Sequence, residues 1–187
     1  MPQIGSTITP FQLNAYRNGE FIEVNERDFA GRWNVLMFYP GDFTYVCPTE
    51  LEDLAEHYDE FAKLGVEVYS ASTDSHFAHK VWHDSSSAVG KVQFAMLADP
   101  ALRFARAFDV LVEQTGQALR GTFVIDPEGV IRVLEVHDDG VGRNAAELLR
   151  KVKAAQYVAT HPGEVCPAKW DNDEAALAPT FDLVGKI

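Results

Sequence analysis

The stretch from Trp33 to Ser72 constrains the fold more than any other part of the chain. Trp33-Asn34-Val35-Leu36-Met37-Phe38-Tyr39 is dense in β-branched and aromatic residues and closes on Pro40-Gly41, as a buried strand running into a loop should. From Pro48 onward, Leu51, Leu54, Ala55, Tyr58, Phe61 and Ala62 recur at helical spacing. Glu50, Glu52, Asp53, Glu56 and Glu60 fall mostly on the opposite face, and Gly65 ends the run. Val66 to Ser72 reads as a second strand. A strand, a helix and a strand with short connections predict a parallel pair joined by a right-handed crossover.

Pro48 fits a first helical turn because its missing N–H needs no partner there, which puts Cys47 at the helix opening. The first-turn N–H groups point outward and the macrodipole adds partial positive charge, so a sulfur at this position is favoured as thiolate. Nucleophilic sulfur chemistry is the leading expectation.

Upstream, Phe11 to Tyr16 and Phe21 to Val24 flank Arg17-Asn18-Gly19-Glu20, whose Asn-Gly pair suits a β-hairpin decorating the core. Downstream, the pattern predicts a short helix over 75–82, a strand over 93–98, a turn at Asp99-Pro100 and a helix over 101–108. A second hairpin comes next, from Gly121 to Ile125 and Val130 to Val136 around Asp126-Pro127-Glu128-Gly129, with Arg120 at its start. Asn144 can cap a helix to about residue 158, stopped by His161-Pro162-Gly163; the remainder, from Glu164, lacks periodicity and reads as an arm. Strand, cysteine-bearing helix, strand, hairpin, helix is the order of an α/β thioredoxin-like fold.

A chain of 187 residues, 47% hydrophobic and 24% charged, is long enough for one sizeable core. Its formal net charge of −12 repels phosphate backbones and anionic lipid surfaces, so neither nucleic acid nor a membrane is an expected partner. The amino terminus lacks a basic start with an apolar run, and no stretch approaches membrane-spanning length, which points to a soluble cytoplasmic protein. Cys47 and Cys166 lie too far apart in sequence for a close metal-binding pair and are too few for a disulfide scaffold. An average intracellular cysteine is an inert small hydrophobe, and that is the plain alternative for both. A thioredoxin-type reductase would carry a second cysteine three positions after Cys47, where Glu50 stands instead, so the thiol needs another electron acceptor or a distant partner. His76, His79 and His83 share one helical face, yet helical histidines are mostly structural or surface residues, and no metal is expected.

Pro40-Gly41-Asp42-Phe43-Thr44-Tyr45-Val46-Cys47-Pro48-Thr49-Glu50, Arg120-Gly121-Thr122-Phe123-Val124-Ile125-Asp126-Pro127 and His161-Pro162-Gly163-Glu164-Val165-Cys166-Pro167-Ala168-Lys169-Trp170 closely resemble the typical two-cysteine peroxiredoxins. Within them the match is to the bacterial alkyl hydroperoxide reductase C group, whose tail Leu183-Val184-Gly185-Lys186-Ile187 also resembles. The resemblance implies a thioredoxin-like fold with an amino-terminal β-hairpin extension, a peroxiredoxin domain over 1–160 and a carboxyl-terminal arm over 161–187. It implies Cys47 as peroxidatic nucleophile, Cys166 as resolving thiol, Arg120 as thiolate and peroxide partner, Thr44 as the group orienting peroxide, and Pro40 as an apolar wall. Glu50 would hold an arginine in place.

The same resemblance implies reduction of hydrogen peroxide and organic hydroperoxides with no cofactor besides the protein's own sulfur. It implies a homodimer with a Cys47–Cys166 disulfide between subunits, assembled as a decamer, and recycling by a flavoprotein disulfide reductase or a thioredoxin-like reductant. A thioredoxin-like redox module without turnover and an oligomeric holdase chaperone are the alternatives. Neither requires Thr44, Cys47 and Arg120 in one pocket.

Overall fold

A computed structural model describes residues 3–172 and 174–186; Met1 and Pro2 of the amino-terminal segment and Ile187 of the closing one lie outside the described residues. The chain runs β1 (Gln12–Arg17), β2 (Glu20–Asn25), α1 (Glu26–Phe29), β3 (Trp33–Phe38), α2 (Cys47–Glu56), α3 (Tyr58–Lys63), β4 (Val66–Ser72) and α4 (His76–Ser85). It continues through β5 (Ala95–Ala98), α5 (Arg103–Ala107), β6 (Leu111–Val112), β7 (Gln117–Ala118), β8 (Arg120–Ile125), β9 (Ile131–His137) and α6 (Ala145–Thr160). Two compact units divide it, Met1–Ala145 and Ala146–Ile187.

The first unit holds a seven-stranded mixed sheet in the order β2-β1-β5-β4-β3-β8-β9. β3, β4 and β5 run parallel, as the crossover pattern predicts, while β8 lies antiparallel to β3 and β9 antiparallel to β8. Alternation along these strands turns Leu36, Phe38, Tyr69, Ala71, Ala95, Leu97, Phe123 and Ile125 to one face, where Phe29, Phe104 and Phe108 complete a buried cluster. Phe38 meets the rings of Phe104, Phe108 and Phe123 at 5.2, 5.3 and 5.9 Å. Burial of each such side chain contributes about 1.5–3 kcal/mol. That packing fixes β3 and β8 side by side, and hence the positions of the loop leaving β3 and of the residue that opens β8.

Beyond the short unpredicted helix α1, three further elements differ from the sequence pattern. The amino-terminal hairpin turns at Asn18 and Gly19, both at positive φ (48° and 88°), but β1 also pairs antiparallel with β5, so the hairpin extends the central sheet rather than decorating it. The single amphipathic helix breaks at His57 (φ −96°, ψ 0°), whose ring nitrogen lies 2.8 Å from the Asp53 carbonyl and takes up an acceptor that the backbone would otherwise use alone. β6 and β7 form a small hairpin of two-residue strands, too short to leave a periodic signature.

In the second unit the carboxyl-terminal segment is folded onto its own helix. Val165 and Leu177 exchange two backbone hydrogen bonds of 2.9 Å, closing the intervening chain into a loop. Inside it, Trp170 is buried; its indole N–H donates to the Glu174 carbonyl (3.0 Å), its carbonyl accepts from Arg150 Nη1 (3.0 Å), and Tyr157 packs at 4.8 Å. Among its described residues, a segment without helical or strand period is therefore held by backbone bonds and side-chain contacts together.

Candidate active site

The antiparallel register of β3 and β8 pairs Met37 with Thr122, so Arg120, at the start of β8, lies where β3 gives way to the Pro40 loop. The same loop leads into α2, which begins at Cys47 with Val46 as its cap and Pro48 in the first turn. Cys47 is fully buried, and Arg120 Nη1 donates to its Sγ at 3.3 Å. The first turn of α2 also brings Glu50 under the same guanidinium, where its Oε2 accepts from Arg120 Nη1 at 2.7 Å. Three of the residues singled out in the sequence thus meet in one buried contact set.

A fourth residue, which the motifs do not name, completes it. Arg143 donates to Glu50 from Nε (2.8 Å), Nη2 (2.9 Å) and its backbone N–H (2.9 Å), and from Nη1 to the Gly121 carbonyl and Thr122 Oγ1 (both 3.1 Å). Burial pushes the Glu50 carboxyl up, but the hydrogen bonds and charge of Arg143, together with Arg120, outweigh it and hold the group below its ordinary value. Glu50 is therefore a fixed anion between two guanidiniums, an arrangement whose bidentate geometry suits arginine and not lysine. The hint in the sequence was a lone arginine in Gly140-Val141-Gly142-Arg143, ahead of α6.

Arg120 is held on its other side too. Its Nε donates to the Asp139 carbonyl at 2.7 Å and its Nη2 reaches Asp139 Oδ1 at 3.4 Å. Glu50, Arg120 and Arg143 form the buried part of this network, where removal of one member leaves an uncompensated charge, whereas the Asp139 side chain is exposed.

The loop between Pro40 and Cys47 is anchored by Asp42. Tyr39 OH donates to Asp42 Oδ1 (2.8 Å), His79 Nδ1 lies 2.8 Å from Oδ2, and the Asp42 backbone N–H donates to Asp74 Oδ2 (2.8 Å). Burial first, and then the Asp42 carboxylate, pushes the Tyr39 phenol well above its ordinary value, so it stays a donor. Phe43 next to it takes φ 56°, a strained value for a bulky residue that this anchoring sustains. Phe43 packs on Trp82 at 5.9 Å, which puts Trp82 against the loop.

Pro40 is buried at the end of β3, where it offers no N–H donor. Thr44 Oγ1 donates to the Gly41 carbonyl at 2.8 Å, so its proton is committed and its lone pairs are what it can present. Cys166 belongs to the second unit, half-buried, with Sγ 3.8 Å from the Ala154 carbonyl. Burial pushes its thiol up, the Glu164 carboxylate adds to that, and Arg150 offsets part of it. The three helical histidines divide: His79 is buried between Asp42 and the Leu97 carbonyl, His83 contacts the Val92 carbonyl, and His76 packs at a tilt against Phe77.

A lone buried cysteine at a helix N-terminus, beneath a guanidinium at the edge of a thioredoxin-like sheet, defines a thiol-reactive enzyme class. A sequence model of the AhpC/TSA family matches residues 4–134, and the chain belongs to that family. It is 59% identical to alkyl hydroperoxide reductase C of Salmonella typhimurium and 57% identical to that of Bacillus subtilis, over all 187 residues and the full length of each. Among solved structures it is similar to Enterococcus faecalis AhpC, with TM-score 0.87 and 48% identity, covering 89% of this chain and 100% of that one. It is also similar to the reduced 2-Cys peroxiredoxin of Plasmodium vivax, with TM-score 0.91 and 30% identity, covering 96% and 94%. The chain is accordingly a peroxiredoxin, an enzyme that reduces hydroperoxides with a thiol.

Proposed function

We propose that Cys47 is the peroxidatic sulfur and Cys166 the resolving one. The Cys47 thiolate attacks the terminal oxygen of a hydroperoxide, the S–O bond forms as the O–O bond breaks, and the departing alkoxide takes a proton and leaves as alcohol or, from hydrogen peroxide, water. Cys47 is left as sulfenic acid. Cys166 of the partner subunit then attacks that sulfur, a disulfide forms and water leaves, before further oxidation makes the loss irreversible.

The observation that carries this reading is the 3.3 Å contact from Arg120 Nη1 to Cys47 Sγ inside a set fixed by Glu50 and Arg143. A guanidinium there stabilises the thiolate and offers N–H donors to peroxide oxygen. Thr44, with its proton held by Gly41, accepts from the peroxide O–H and orients it, and Pro40 limits competing donors. The raised Cys166 thiol supports the division of labour, because a protonated sulfur does not compete for peroxide. A passive redox module or a holdase has no use for this buried arrangement.

We further infer a homodimer, a decamer of five dimers, a cytoplasmic location, and recycling by an NADH-dependent flavoprotein reductase or a thioredoxin-like dithiol. Among the described residues no helix is long and apolar enough to cross a membrane. Exposed Phe21, Phe77 and Val81 support burial in an assembly, with Phe21 and Phe77 in ring contact at 5.2 Å. Residues 1–160 act as the peroxidase domain and 161–187 as the arm that delivers Cys166.

Cys166→Ser tests the resolving step. With one equivalent of peroxide the wild type should run as a disulfide-linked dimer on non-reducing electrophoresis and the variant as a monomer. A linked dimer in the variant, or a monomeric wild type, contradicts resolution between subunits.

A further inference from the structure

We propose that Asp139 is a specificity-determining residue that discriminates hydroperoxides by charge at the Arg120 guanidinium. The inference rests on the reading of Cys47 and Arg120 as the peroxide-reacting pair.

The donors of Arg120 are unequally committed. Nε is given to the Asp139 carbonyl at 2.7 Å, and Nη1 is shared between Glu50 at 2.7 Å and Cys47 at 3.3 Å. Those partners are a backbone group and two buried side chains, so none of them yields. Nη2 differs: its partner is Asp139 Oδ1 at 3.4 Å, the longest of the four contacts, from a side chain that is 76% exposed while that of Arg120 is 3% exposed. The donor that can turn to an incoming oxygen is therefore the one faced by a loosely held carboxylate on the solvent side.

Local structure keeps that carboxylate there. The chain leaves β9 at His137, opposite Arg120, and reverses in a turn closed by the Val141 N–H donating to the Asp138 carbonyl at 3.0 Å. Asp139 lies inside this turn, its carbonyl facing Arg120. Beyond it, Gly142 approaches Val46, whose Cγ1 would lie 3.4 Å from a Cβ at that position, and the Arg143 N–H is tied to Glu50. The loop over 138–143 is thus fastened to the first turn of α2 at one end and to Arg120 at the other. The Asp139 side chain lies at the rim between them.

A carboxylate at that point has two effects of the same origin. It competes for Nη2, and it repels a substrate that carries its own negative charge close to the peroxide group, such as a carboxylated organic hydroperoxide. Two unit charges several ångströms apart in partly aqueous surroundings change an encounter by about three- to tenfold, and salt reduces the effect. Neutral hydroperoxides meet only the weaker competition.

The test is single-turnover oxidation of the reduced full-length enzyme with cumene hydroperoxide and with its ring-carboxylated analogue, at low and high ionic strength. Wild type, Asp139→Asn, Asp139→Glu and Cys47→Ser are compared. Asp139→Asn should raise the rate with the anionic substrate about three- to tenfold relative to the neutral one, with the gain shrinking at high salt. Asp139→Glu should retain the wild-type ratio. An unchanged ratio in Asp139→Asn, or an equal fall with both substrates, overturns the inference and leaves Asp139 a structural part of the turn. Peroxide consumption that survives in Cys47→Ser overturns instead the reading on which it rests.

Discussion

Replacing Arg143 with methionine removes the guanidinium that fixes Glu50 while keeping much of the side chain's bulk. Glu50 loses donors from Nε at 2.8 Å and Nη2 at 2.9 Å, and Gly121 and Thr122 lose Nη1 at 3.1 Å; the backbone N–H of residue 143 and the Arg120 contact remain. Breaking a buried ion pair from one side costs about 3–5 kcal/mol, and the surviving contacts place this case at about 3 kcal/mol. For a domain of this size about 1 kcal/mol corresponds to 2–4 °C, so the melting temperature should fall by about 6–12 °C. Calorimetry on reduced protein at one fixed concentration measures it, because assembly contributes to apparent stability. Activity should fall further than stability. With Glu50 released, Arg120 loses the brace that aims Nη1 at Cys47, and misplacement on the scale of 1 Å can lower the rate of peroxide oxidation by about a hundredfold. Arg143→Lys restores charge without the bidentate fork and should recover only part of both losses. A melting temperature within about 2 °C of wild type, with oxidation within about twofold, would refute the claim that Arg143 supports the site through Glu50.

Gly121 admits no side chain: a Cβ there would lie 2.6 Å from Val110 Cγ1 and 3.2 Å from Phe123 Cε2, so Gly121→Ala should destabilise by about 1–3 kcal/mol, measured by urea unfolding, and Val110→Ala should relieve part of it. Equal stability of Gly121→Ala and wild type would show that β8 and Val110 separate freely. Glu50→Gln tests the anion directly in acid. Because the folded carboxyl titrates below its unfolded value of about 4.3, its stabilisation is complete above that pH and disappears as pH falls through the folded value. The stability gap between wild type and Glu50→Gln should therefore hold steady near neutrality and begin to close only as pH falls below the unfolded value of about 4.3; a gap that widens on acidification contradicts the sign.

Much of this was legible in the sequence because local rules and tertiary structure agree around β3, α2 and β4. Pro48 marks a helix start whatever the surroundings, and the strand at Val66 to Ser72 is recovered to the residue. The hairpin turn at Asn18-Gly19 was equally plain, but its antiparallel pairing with β5 was not, since no local signal states which edge a hairpin joins. The break at His57 depends on a side-chain contact one turn back, invisible to hydrophobic periodicity. Within the site, Cys47, Glu50 and Arg120 follow from motifs, whereas Arg143 and Asp139 lie in a loop whose only sequence mark is its glycines. Their contribution arises from a register that returns the chain over Arg120, a long-range fact that a single sequence does not display.

In the mechanism proposed above, hydroperoxide reacts first at Cys47, under Arg120. Dimedone trapping during exposure to one equivalent of hydroperoxide, read by peptide mass spectrometry, tests it most directly. The expected result is a sulfenic-acid adduct on Cys47 and none on Cys166, whose sulfur appears only as free thiol or in the disulfide with untrapped Cys47, and loss of that adduct when Arg120 is replaced by methionine. An adduct on Cys166 with Cys47 untouched, or undiminished labelling of Cys47 without Arg120, would contradict it.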